Sequence, residues 1–439
     1  MTEHLTLPID DESAERMRAG GLRLGLVDTS DVGAFGQWLE ADSRGFHQPR
    51  PSAESLTAQV RGLADRRTTG VYDDSAADSA SPVATVSSWP ARLTLPGGTD
   101  TAAWAISAVT VASTHRRRGI ASAMLTAELR TAQRLGVAVA ILTVSEATIY
   151  GRFGFAPAAF AADWTIDTRK AKWAGPAASG RVHMLPLERA RDDGRAIIER
   201  IRSATPGEID LRGHLWERLF GLSGDPDRAK TLRAVRYDDA DGVPQGFAVY
   251  SFKQPSEDFS AQALNLEYLA TATDDAYAGL WRYLLEIDLV STVTAPLRRV
   301  DEPVVWQLTD VRSAKKADEQ DHLWTRILDV KAALEARRYR APGAIALEVS
   351  DPLGFAGGRF LLDVSASGTA VVSPLDGEAP HGAAAVALGV GELSALYLGG
   401  VSAAVLARAG RITELRAGSA DAVDAVFRTA VAPWLSIWF

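Results

Sequence analysis

Residues 119–135, "GIASAMLTAELRTAQRL", carry Ile120, Met124, Leu125, Leu129 and Leu135 on one stripe at helical spacing. The spacing predicts an amphipathic helix that Gly136 closes. Before it, "VATVSSWPARLTLPGGTDTAAWAISAVTVAS" is rich in β-branched and apolar residues and is broken by Pro-Gly-Gly, which reads as strands joined in a hairpin. After it, "VAVAILTVS" reads as a buried strand. "VGAFGQWLEAD" and "ESLTAQVRGLADR" have helical spacing, and "GVYDDSAADSASP" reads as a strand running into a loop.

Across 160–300 the rhythm returns more faintly. "AIIERIRSATPGEIDL" and "GHLWERLFG" predict helices, "GFAVYSFKQ" a strand, and "ALNLEYLATATDDAYAGLWRYLLEID" a strand then a helix. "EYLATATDDAYAGLWRYLLE" reads as a second copy of "AVTVASTHRRRGIASAMLTAE", with aspartates where the first copy has arginines. The last stretch opens with "DHLWTRILDVKAALEARRY", predicted as one amphipathic helix with a basic last turn. The segments "AIALEVSD", "GRFLLDVSASGTAVVSP" and "AAAVALGV" follow as strands, and "ELSALYLGG", "VSAAVLARAG" and "DAVDAVFRTAVAPWL" as short helices. The expected fold class is α/β (α+β) in three regions, 1–160, 161–318 and 319–439.

Composition narrows the function. With 439 residues, 46% hydrophobic and 23% charged, the chain is ordinary globular protein of about three domains at ~150 residues each. A net charge of −8 disfavours nucleic acid and leaves room for cationic small molecules. The chain has no cysteine, hence no thiol nucleophile, disulfide or cysteine zinc site. Seven histidines show no ligand spacing, so no metal is expected, and His115 reads as packing or capping. The acidic start differs from a signal peptide, and apolar runs such as "GVAVAILTV" fall short of the ~20 residues of a membrane helix. A cytoplasmic protein without a membrane partner is expected.

The chemistry concentrates in "STHRRRGIASAM". A helix N-terminus offers unpaired N–H groups and partial positive charge. Gly119 bares the backbone, while Arg116, Arg117 and Arg118 supply forked donors for phosphate oxygens. A strand, a basic Gly turn in the pattern Arg-x-x-Gly-x-Ala and a helix together suit a pyrophosphate.

"VTVASTHRRRGIASAM" followed by "SEATIYGRFGFAPA" resembles the acetyl-coenzyme A site of the GNAT superfamily, and more narrowly the Eis (enhanced intracellular survival) family. "LWRYLLEID", "LWTRILDVKAALEARRY", "LYLGG" and the terminal Phe extend the likeness over nearly the whole chain. The resemblance implies an N-terminal GNAT domain, a central degenerate GNAT domain, a C-terminal sterol carrier protein fold and a hexameric homo-oligomer. It also implies transfer of acetyl from acetyl-coenzyme A to amines, including those of aminoglycosides. Val109 and Val111 would then hold the pantetheine arm. Arg116, Arg117, Arg118, Gly119, Ile120 and Ala121 would hold the pyrophosphate, with Ser145 opening the next helix. Tyr150 would be the general acid for the departing thiolate, and the α-carboxylate of Phe439 the base for the amine. Asp42, Phe46, His47 and Trp438 fall where the acceptor pocket begins or ends. Trp438 stands where the family often has an acidic residue, and 42–47 departs from better-known members, so the breadth toward aminoglycosides is open. A cationic acceptor, aminoglycoside or polyamine, is expected. The alternatives are a protein or peptide lysine, or a lipid- or ligand-binding protein with a vestigial GNAT portion. Asp274 and Asp275 predict no cofactor in the central copy, and no lipid is expected in the C-terminal domain.

Overall fold

In the computed structural model, which describes residues 3–223, 226–253, 258 and 260–439, the chain groups into two compact units. The first unit comprises residues 1–159, 323–430 and 439, and the second 160–322 and 431–438.

In the first unit, β1 (Arg23–Leu26), β2 (Arg67–Tyr72), β3 (Ala84–Thr94), β4 (Asp100–Val111) and β5 (Val139–Thr143) lie side by side in chain order. The first four pair antiparallel and β4 pairs parallel with β5. The Pro-Gly-Gly turn joins β3 to β4, with Thr94 opposite Asp100. The crossover from β4 to β5 is the predicted helix, Ile120–Arg134. Its buried Ile120, Met124, Leu125 and Leu129 share a core with Trp104, Ile106, Leu142, Tyr150, Phe153 and Phe155.

The segment 321–337 departs from the expected single helix. Leu323–Ile327 are the end of the strand Ala314–Ile327 and pair antiparallel with β5, and only Val330–Ala336 is helical. Asp329 divides the two by capping, its carboxylate accepting from the Ala332 N–H. Burial on both faces of this strand end removes the apolar–polar alternation of a half-exposed strand, and Leu323, Trp324, Ile327 and Leu328 fall at helical spacing instead. The same unit holds a five-stranded sheet in the order Ala370–Pro374, Gly358–Val364, Gly343–Ser350, Ala384–Gly389, Ile412–Glu414. The short last strand was not anticipated, and the closing helix ends at Phe427 rather than running on to Leu435.

In the second unit the sheet order is Phe160–Asp167 (the later part of Ala156–Asp167), Val290–Arg298, Gln262–Thr271, Pro244–Lys253, Leu232–Asp238 and Arg181–Leu185. The helix Asp274–Leu285 packs its Ala276, Leu280, Trp281 and Leu284 into this unit's core. The tail 431–438 is fastened here. Trp434 donates its N–H to the Pro206 carbonyl at 2.8 Å and its indole N–H to Leu297 at 2.9 Å. Ser436 meets the Tyr268 hydroxyl at 3.0 Å, and His322 Nε2 lies 2.7 Å from the Ile437 carbonyl.

Candidate active site

The site begins with a defect in the sheet. Thr85 faces Thr110 and Ser87 faces Ser107, so β4 carries an extra residue, and Ala108 takes φ +55° to absorb it. Thr85 Oγ1 bonds the freed Ala108 carbonyl at 2.8 Å. The β4–β5 pairing runs only from Ala103↔Val139 to Ala105↔Ile141. On the side of β5, Val109 and Val111 therefore border an opening instead of a neighbouring strand.

At the end of β4, Arg117 has φ +63° and Gly119 φ +76°. Left-handed residues alternating in this way turn successive N–H groups to one side, the arrangement of an anion nest. Gly119 is the N-cap of Ile120–Arg134 and supplies no side-chain cap, so the first-turn donors stay available. A Cβ on Gly119 would lie 3.0 Å from Arg16 Nη2. Arg16, exposed on the helix Asp11–Ala19, thus adds a guanidinium to the turn; no sequence signal places it there, a hundred residues away.

A cavity of about 1330 Å³ opens on these groups. Val109, Val111, Arg116, Arg117, Gly119, Ile120, Ala121, Ser145, Tyr150, Phe46 and His47 all line it. The volume exceeds the 300–1,000 Å³ of a drug-sized ligand, giving room for coenzyme A and a small acceptor together. Asp78 and Glu146 bring negative charge to the wall.

Four expected residues lie elsewhere. Arg118 is not on the wall: it donates to the Gly20 carbonyl at 2.8 Å and lies 3.7 Å from Asp73. Asp73 also takes the His115 imidazole at 3.0 Å, so His115 ties the loop after β2 to the turn. Asp42 is off the wall, with one carboxylate oxygen buried and without a hydrogen-bond partner. Burial pushes its pKa up to about 7 against the opposing charge of Arg66. Trp438, in the second unit, is 39% exposed and packs edge-on against His322 at 4.4 Å. Phe439 belongs to the first unit but not to the wall. Its backbone carboxyl oxygen accepts from Thr143 Oγ1 at 2.7 Å, and its ring meets Trp89 edge-on at 5.5 Å. Thr143 and Trp89 carry no sequence signal for this role.

Comparison with known proteins bears on these features. Residues 29–158 and 207–337 each match an acetyltransferase (GNAT) domain family, and 330–436 match the sterol carrier protein domain family. The N-acetyltransferase Eis of Mycobacterium tuberculosis is 34% identical over 352 residues, covering 77% of this chain and 81% of its own. The chain belongs to the Eis family of N-acetyltransferases. An uncharacterised N-acetyltransferase of Streptomyces avermitilis is 36% identical over 412 residues, covering 90% of this chain and 94% of its own. The crystal structure of Eis1 from Mycobacterium abscessus superposes with a TM-score of 0.79 at 27% identity, covering 95% of this chain and all of that one.

The GNAT fold of this Eis-family acetyltransferase implies acetyl-coenzyme A as cosubstrate, and the first copy fits it through the nest, the uncapped helix and the opened strands. The thioester supplies an activated acetyl group. Tyr150 is 6% exposed and stacks edge-on with Phe155 at 6.3 Å. Burial, with the charge of Glu146 adding to it, pushes the phenol up to about 12, so it holds its proton through the working pH range.

The second copy is built differently at the same place. Thr273 caps its helix by accepting from the Ala276 N–H. The Asp275 carboxylate accepts from the Ser179 N–H at 3.0 Å, from Ser179 Oγ at 2.9 Å and from the Tyr237 hydroxyl at 2.5 Å. An anion supplied by the chain itself already sits at this helix N-terminus. Among the described residues, no group of three or more His, Asp or Glu could hold a metal ion, and no helix is long and apolar enough to cross a membrane.

Proposed function

We propose that this chain transfers acetyl from acetyl-coenzyme A to an amine of a cationic small molecule, an aminoglycoside or a polyamine. The observation that carries the reading is the shared cavity. The phosphate-suited turn at Arg117 and Gly119, the strand opening at Val109 and Val111, and the protonated Tyr150 all face one space, with Asp78 and Glu146 on its wall. The acceptor gives a proton, through water, to the Phe439 carboxylate, and its nitrogen forms the new bond to the acetyl carbon. The carbon–sulfur bond breaks, and the sulfur takes the Tyr150 proton. The wall also carries Arg44, Arg116, Arg117 and Arg152, which suit the phosphates, while Asp78 and Glu146 and the net charge of −8 favour a cationic acceptor at low salt. The reading includes a cytoplasmic homo-oligomer, a hexamer as the family resemblance implies, with no nucleic-acid or membrane partner. A thiol-release assay with acetyl-coenzyme A across a panel of amines tests it. Turnover of polyamines or kanamycin-like amines, with a KM that rises with salt, is expected; activity confined to neutral or acidic acceptors overturns it.

A further inference from the structure

Arg326 is fully buried and serves three segments at once. Its Nε donates to the Phe153 carbonyl at 2.5 Å, in the turn that follows Tyr150. Its Nη2 donates to both carboxylate oxygens of Asp351 at 2.8 Å. Asp351, its side chain 1% exposed, in turn accepts from the backbone N–H groups of Leu353, Phe355 and Ala356 at 3.1, 3.0 and 2.9 Å. One carboxylate thus shapes the whole loop 351–356. Phe355 packs against the core cluster that contains Tyr150, Phe153 and Phe155, and Leu353 stands on the wall of the cavity, with Arg152 also on that wall. Gly154 records how close the approach is: it has φ +81°, and a Cβ there would lie 2.6 Å from Arg326 Nε.

We infer that the loop 351–356 is part of the coenzyme A site. Leu353 is a wall of the coenzyme A cavity, and Arg326 and Asp351 are a positioning pair that fixes Leu353 and the Tyr150 turn in one geometry. This rests on reading the cavity as the acetyl-coenzyme A site. A buried ion pair suits the task, because removing either partner leaves an uncompensated charge, so the loop and the turn have one low-energy arrangement.

The full-length protein tests this with coenzyme A itself as the calorimetric probe. Leu353→Glu puts a carboxylate on the wall and, since Leu353 is half-exposed, leaves the core intact. It should weaken coenzyme A about tenfold and raise the acetyl-coenzyme A KM with little change in kcat. Asp351→Asn, assayed below its lowered melting temperature, should instead cut kcat at least tenfold, because Tyr150 loses its fixed turn. Native affinity in Leu353→Glu refutes the wall, and native kcat in a folded Asp351→Asn refutes the positioning pair. If Asp351→Asn does not fold, Arg326→Lys, which keeps a cation beside Asp351 but loses the bond to the Phe153 carbonyl, carries the same test, and native kcat there refutes the positioning pair. A native protein that binds no coenzyme A would instead overturn the proposed function.

Discussion

In the proposed reaction Tyr150 and the arginines of the turn have separate roles, and each would have its own kinetic signature. Tyr150→Phe keeps the ring against Phe155 and removes only the hydroxyl. Turnover should fall about 10²–10⁴-fold with coenzyme A affinity unchanged, checked by steady-state kinetics beside calorimetry. Because burial holds this phenol near 12, its own ionisation should leave no basic limb in kcat below pH 10. Arg117→Ala removes a guanidinium from the wall and keeps a Cβ at the left-handed position of the nest. A charged hydrogen bond contributes about 1.5–3 kcal/mol, so coenzyme A should bind about tenfold or more weakly. Arg118→Ala should cost much less, since its guanidinium already serves Gly20 and Asp73. Equal losses at the two positions would contradict this division.

At the scale of an element, the fastened tail has a pH signature. Glu208 is buried among Ser436, Arg298 and Arg299, and burial pushes its carboxyl up to about 7. A carboxyl with a folded pKa above its unfolded value binds more protons when folded, so its contribution to stability declines as pH rises from about 4.5 to 7. His322 works in the opposite sense: burial holds it down to about 4, so its contribution rises between about 4 and 6.5. Melting temperatures of the native protein and Glu208→Gln, compared across pH 4–8, isolate the first effect. The difference should shift in favour of Glu208→Gln as pH rises to 7 and be flat above it; a difference independent of pH would show that Glu208 does not titrate there. The strand Ala314–Ile327 and the helix after it carry the matching lesson about prediction. A doubly buried strand end running through Asp329 into a helix has the same apolar density as one longer helix, and only pairing with β5 separates them.

For the whole molecule, stoichiometry and the chain end are the decisive measurements. One coenzyme A per chain is expected by titration, because Asp275 already supplies the anion at the helix terminus of the second copy; two per chain would refute this. Adding a few residues after Phe439 converts its carboxylate to a neutral amide while keeping its ring. Such a variant should fold, bind coenzyme A and lose most turnover. Full activity in a C-terminally extended protein would remove the terminal carboxylate from the mechanism.

Local chemistry was legible in the sequence. The helix stripe at 120–135, the hairpin at Pro-Gly-Gly, the basic turn with its glycine and the paired aspartates of the second copy are all short-range patterns. Short-range patterns follow from propensity, capping and backbone freedom over a few residues, without knowledge of the fold. The first-copy turn was readable for the same reason, whereas Tyr150 was singled out only by the likeness of its segment to the GNAT superfamily. What the chain order could not contain is adjacency across long separations. Arg16 beside Gly119, Thr143 bonded to Phe439, and Arg326 with Asp351 behind Tyr150 come together only when sheet pairing and core packing bring their elements into contact. The direction of each arginine in the turn was equally out of reach. It depends on backbone angles at Arg117 and Gly119, and on partners at Gly20 and Asp73, that exist only in the folded molecule.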